Sequence, residues 1–91
     1  MAVIATWIKI DEKNFAPAFH DAVEELERSK GEMLLDFASV RRLNPSALRA
    51  MEEFADAAQQ HDVKVVLRGV NIDAYRVLKL VKLAKRFSFV N

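Results

Sequence analysis

Hydrophobic positions along this chain change period several times, and each change marks an element. From Ala2 to Ile10 most side chains are β-branched or aromatic: Val3, Ile4, Thr6, Trp7, Ile8 and Ile10. A short run of residues that suit a pleated surface predicts a strand. Asp11-Glu12-Lys13-Asn14 breaks the run, and Asn14 is placed to cap a helix. Phe15, Phe19, Ala22, Val23 and Leu26 then recur at helical spacing, while Glu24, Glu25, Glu27 and Arg28 fall mostly on the wet side. Gly31 is the expected end of that helix. Met33-Leu34-Leu35-Asp36-Phe37 has the length of a buried strand, and Ala38 to Leu43 is a connection.

The second half repeats the alternation. Asn44-Pro45 opens a helix, asparagine as cap and proline preset for the first turn. Ala47, Leu48, Met51, Phe54, Ala55 and Ala58 form its apolar stripe, which ends at Gln59-Gln60-His61-Asp62. Val63 to Leu67 predicts a third strand, closed by Gly69. A third helix is expected from about Asn71, and Phe87-Ser88-Phe89-Val90 alternates as a last strand. The order β-α-β-α-β-α-β predicts an α/β fold, an open and mostly parallel sheet joined by right-handed crossovers. One place leaves two outcomes open. Leu80 and Leu83 fall opposite the stripe of Ala74, Val77, Leu78 and Val81. Either the helix ends near Val81 and Leu83 turns back into the core, or an apolar ridge is exposed and points to a homodimer.

Length and composition narrow the classes. The 91 residues fit a single domain spanning 1–91. Hydrophobic residues make up 52%, too many for a disordered chain. No cysteine is present, which removes disulfides and thiolate chemistry and fits a reducing compartment. A net charge of +1 gives no general attraction to nucleic acid. No apolar run is long enough to span a membrane and the first residues lack the pattern of a signal peptide, so the expected location is cytoplasmic.

In order, these pieces resemble the STAS family, named for sulfate transporters and anti-sigma factor antagonists. Leu34-Leu35-Asp36-Phe37-Ala38-Ser39-Val40 is similar to the family's central strand, which ends in an aspartate, and its connector. Leu43-Asn44-Pro45-Ser46-Ala47-Leu48 stands where the family carries Asp-Ser-Ser/Thr-Gly-Leu at a helix start. Val65-Val66-Leu67-Arg68-Gly69-Val70 resembles the next strand and its turn, and Arg76-Val77-Leu78-Lys79-Leu80 with Leu83 and Phe87 the last helix and the approach to the final strand. The resemblance runs from about Met33 to Val90 and implies a STAS-like sheet of about four strands with three helices. It also implies a non-catalytic role in binding a regulatory partner through Asn44, Pro45, Ser46, Ala47 and Leu48. In relatives switched by phosphorylation the motif's first serine accepts the phosphate. Here that position is Pro45, Asn44 replaces the acidic residue, and Ala47 replaces the glycine. Ser46 matches the second hydroxyl position and is the candidate phosphosite.

Three functions remain open on this basis. The first is an anti-sigma factor antagonist whose partner is a kinase-type anti-sigma factor. The second is the STAS subunit of an ABC-type lipid transporter docked on its ATPase, which Gly69-Val70-Asn71 with Tyr75 and Leu78 resembles. The third is a small-ligand-binding protein or enzyme on the same fold. Against the third, no catalytic residue, metal-ligand set or cofactor can be assigned. Asp36 lacks a second carboxylate beside it in sequence and is expected to bond nearby backbone. His20 and His61 are far apart, and the glycines Gly31 and Gly69 are isolated rather than in a phosphate loop. Arg76, Lys79, Lys82, Lys85 and Arg86 follow the last acid, Asp73. They form either a solvated face or a basic patch for an acidic partner.

Overall fold

The structure is a computed structural model and describes residues 6–29 and 31–90. Strand β1 covers Thr6–Lys9, and a 3-10 turn at Glu12–Asn14 leads into α1, Phe15–Leu26. β2 is Glu32–Asp36, α2 Pro45–Gln60, β3 Lys64–Arg68 and α3 Ile72–Leu80. A second 3-10 turn at Ala84–Arg86 precedes β4, Ser88–Val90. The sheet order is β1-β2-β3-β4 and every neighbouring pair is parallel. Each crossover therefore steps one strand in the same direction, and a common right hand places the helices on one side of the sheet.

The register separates the two faces. Met33, Leu35, Val65 and Leu67 pack with Phe19, Met51, Phe54 and Leu78 from the helices in one buried cluster. Leu34 and Val66, the alternate positions, lie on the other face, paired in register with Trp7 on one side and Ser88 on the other. That face is tied by Arg68. Its guanidinium sits 5.7 Å from the centre of the Trp7 ring and 3.3 Å from Oδ2 of Asp36. On the helix face, Phe19 stacks with Phe15 at 4.8 Å and meets Phe37 and Phe54 edge-on at 6.1 and 5.4 Å. Each such pair adds about 0.5–1.5 kcal/mol beyond the area it buries.

The helix ends carry most of the differences from expectation. Asn14 precedes α1 but makes no side-chain cap; Asp11 instead caps the 3-10 turn by accepting from the Lys13 N–H. α1 stops at Leu26, before Gly31, and the Ser29 hydroxyl then meets the Glu25 carbonyl at 3.0 Å. That hydroxyl also lies 2.9 Å from the Thr6 hydroxyl, which ties the turn to β1. Gly31, with φ at +93°, forms the bend just before β2 rather than ending the helix. The expected first strand began at Ala2, and residues 1–5 lie outside the described residues.

The two outcomes for Leu80 and Leu83 divide between those residues. α3 ends at Leu80, Lys82 takes the left-handed conformation (φ 64°), and Leu83 returns to the core, 4% exposed. The Leu83 N–H reaches the Leu78 carbonyl and the Lys82 N–H that of Lys79. This is a Schellman motif. α2 ends the same way, with Asp62 left-handed (φ 55°) and Val63 returning to the core. Leu80 is left 82% exposed.

Candidate functional site

The candidate residues sit where the strands end and the helices begin. Residues 37–44, the connector from β2 to α2, are anchored from below by Phe37 and Val40, both buried. Asp36 closes the turn out of β2: its Oδ1 accepts from the Ala38 N–H at 2.9 Å. With Oδ2 on Arg68, both oxygens of Asp36 are engaged within the fold. Gly69, φ +75°, passes the connector so closely that an added Cβ would lie 3.1 Å from Ala38 Cα and Cβ. Glycine is favoured there by both its left-handed conformation and the close approach.

Two side chains from other loops hold the connector. Glu12 Oε1 accepts from the Arg41 and Arg42 N–H groups, each at 2.8 Å. The Arg42 amide first, then the Arg41 amide, hold the Glu12 carboxyl below its ordinary range, since both bonds favour the charged form. Asn71 donates from Nδ2 to the Val40 and Arg41 carbonyls at 3.2 and 3.1 Å. Its Oδ1 accepts from the Ala74 N–H at 2.7 Å and so caps α3. The connector is thus fixed to the turns after β1 and β3.

On this support stands the start of α2. Asn44 is extended (ψ 171°) and its Oδ1 accepts from the Ala47 N–H at 2.7 Å. Asn44, Pro45 and Ser46 are exposed. Ala47 is 5% exposed, and the half-buried Leu48 packs on the core. The three leading residues form the accessible surface, and the two that follow seat it. Arg41 and Arg42 are exposed beside it. They and the positive end of the α2 dipole stand opposite the charged Glu12 carboxylate, which accepts from the two arginine amides.

Sequence reasoning placed the Asn44 cap and located α3 near Asn71. It did not find Glu12, nor the second bond set of Asn71. A lone glutamate after a strand carries no local signal, because its partners are amides about 30 positions away. His20 is exposed, with Nε2 3.6 Å from Glu24, and His61 is the exposed residue ending α2. Neither approaches the connector through a hydrogen bond. Among the described residues no three of His, Cys, Asp or Glu gather as metal ligands. No described helix is long and apolar enough to cross a membrane. A cavity of about 500 Å³ lies at the opposite end of the strands, among Gly31, Asp62, Lys64 and Phe87. Arg86 at its rim is held by Asp56 at 2.7 Å and Gln59 at 3.0 Å.

No curated protein matches the chain. The family model for the STAS domain matches residues 9–91, which takes in all three helices, β2 to β4 and the connector with its supports. Its parallel sheet, its strand ending in Asp36, its Gly69 turn and that match agree, and the chain belongs to the STAS domain family.

Proposed function

We propose that this protein is a non-catalytic interaction domain of the anti-sigma factor antagonist type, working in the cytoplasm as a single STAS domain over residues 1–91. It binds a kinase-type regulatory partner through the start of α2, Asn44 to Leu48. The observation that carries this reading is the mounting of that edge. Asn44, Pro45 and Ser46 are presented to solvent by a connector held through Phe37, Val40, Glu12 and Asn71. Such fixing lowers the entropy lost when a partner docks.

Pro45 shapes the mode of action. It fills the first helical position, where a missing N–H is tolerated, and it offers no hydroxyl for a phosphate. Binding is therefore constitutive with respect to that position. Ser46, exposed one residue further on, carries the hydroxyl of the segment. Family membership supports an interaction role in general, and the alternative is the STAS subunit of an ABC-type lipid transporter docked on its ATPase.

The experiment is co-purification of the tagged chain from its native cell, with the bound proteins identified, alongside the Ser46→Asp variant. Recovery of a kinase-type anti-sigma factor, lost in Ser46→Asp, is the expected result. Recovery of a transporter ATPase instead would replace this reading with the second one.

A further inference from the structure

The start of α2 leaves two parts of the molecule unused: the outward side of α3 and the free edge of β4. Among the described residues β4 pairs with β3 alone and ends the sheet. The Val90 carbonyl faces β3, where it accepts from the Gly69 N–H at 3.2 Å. Alternation along the strand therefore turns the N–H and C=O of Phe89 to the outer edge. An edge with open backbone groups is a template for another strand.

A groove runs beside this edge, between β4 and α3. Tyr75 and Phe89, edge-on at 5.1 Å, form its waist. On one side of the waist is an apolar depression of about 310 Å³, completed by Val70, Ile72 and Val90. On the other is one of about 400 Å³, completed by Ala84 and the basic Lys79, Lys82 and Lys85. Arg86 is occupied by Asp56, but no described carboxylate lies within ion-pair distance of those three lysines. No acidic residue follows Asp73 in the chain.

Each feature bears on the occupant. Open strand-edge groups beside a groove suit an extended peptide. A planar bilayer surface can neither pair with them nor enter the depressions. The unpaired lysines favour a negatively charged segment over a neutral or basic one. A symmetric dimer across this edge would set the basic half of each groove against the apolar half of the other copy and leave the lysines without a counter-charge. The apolar depression asks for one aliphatic side chain next to the charges.

We propose that the groove between α3 and the free edge of β4 binds an extended, acidic segment of a partner protein. The segment lies beside Phe89 as an added strand, with an aliphatic side chain between Ile72 and Val90 and its carboxylates against Lys79, Lys82 and Lys85. This site is separate from the start of α2 and does not depend on the role given to it.

A fluorescein-labelled peptide of alternating valine and glutamate is the probe, and the same peptide with lysine for glutamate is its control. In anisotropy titrations the acidic peptide binds and the control does not. Raising the salt several-fold weakens binding about tenfold, because exposed charges are screened. The Lys79→Glu/Lys85→Glu double variant also loses about tenfold or more, with an unchanged melting temperature. The Phe89 amide gains protection from hydrogen exchange when the peptide is bound. The proposal is overturned if the acidic peptide does not bind, if both peptides bind equally, or if the double variant binds as well as the parent. It is equally overturned if phosphatidylglycerol vesicles are bound and the peptide is not, or if sedimentation shows that the surface is buried in a dimer.

Discussion

α2 and α3 start alike and are held differently. Each follows an asparagine in extended conformation whose Oδ1 accepts, at 2.7 Å, from the N–H three residues on. Asn71 also uses its amide nitrogen, bridging to the Val40 and Arg41 carbonyls. The amide nitrogen of Asn44 meets no acceptor among the described residues and stands beside the exposed Pro45 and Ser46. The same residue in the same local role thus does two jobs. Asn71 joins two loops into one frame. Asn44 caps its helix and leaves polar groups facing outward, on a frame that Asn71 helps to hold.

The contrast can be tested at its most rigid point first. Gly69→Ala forces a side chain into a left-handed site and against Ala38. It should lower the unfolding free energy by about 2–3 kcal/mol in urea titrations. A loss under about 0.5 kcal/mol would show that the turn after β3 does not press on the connector. Asn71→Ala comes next, with about 2 kcal/mol for a cap plus the bridging bonds, against about 1 kcal/mol for Asn44→Ala. Equal losses would remove the distinction between the two caps.

The Schellman motif of α3 gives a smaller effect of opposite sign. Lys82→Gly relieves a left-handed lysine and should stabilise by about 0.5–1 kcal/mol, read from the denaturation midpoint. Destabilisation would mean that the lysine side chain contributes more than its backbone conformation costs.

The least effect is electrostatic and depends on pH. Glu12 has its folded carboxyl held below the unfolded value by the Arg42 and Arg41 amides. Its contribution is complete above the unfolded value and fades as pH falls through the lower, folded one. Glu12→Gln should therefore melt below the parent near neutral pH, and the two should converge in acid. A gap that widens in acid would contradict the role assigned to those bonds.

How much of this the sequence revealed depends on the range of the interactions. Strands, helices and their order follow from local period, as in Val63–Leu67 against the observed Lys64–Arg68. The Asn44 cap was also legible, because its partner is three residues away. The end of α1 was not. Gly31 is a strong local stop signal, but the helix ends at Leu26 and the turn that follows is tied to β1 by the Ser29 and Thr6 hydroxyls, a contact across 23 positions. Asn14 does stand at the N-cap position of α1 but makes no side-chain cap bond, and Asp11 caps the 3-10 turn before it. In the candidate site the five residues Asn44 to Leu48 could be found by motif, whereas Glu12 and Asn71 act across about 30 positions and become visible only in the fold.

The central claim is that the start of α2 binds a partner on a frame set by Asn71. Its most direct test is calorimetric titration of a kinase-type anti-sigma factor from the same cell with the parent chain, Ser46→Asp and Asn44→Ala. Tight binding by the parent is expected, with at least about tenfold weaker binding by both variants, equivalent to about 1.4 kcal/mol, and melting temperatures that show both to be folded. Undiminished binding by Ser46→Asp and Asn44→Ala would contradict it.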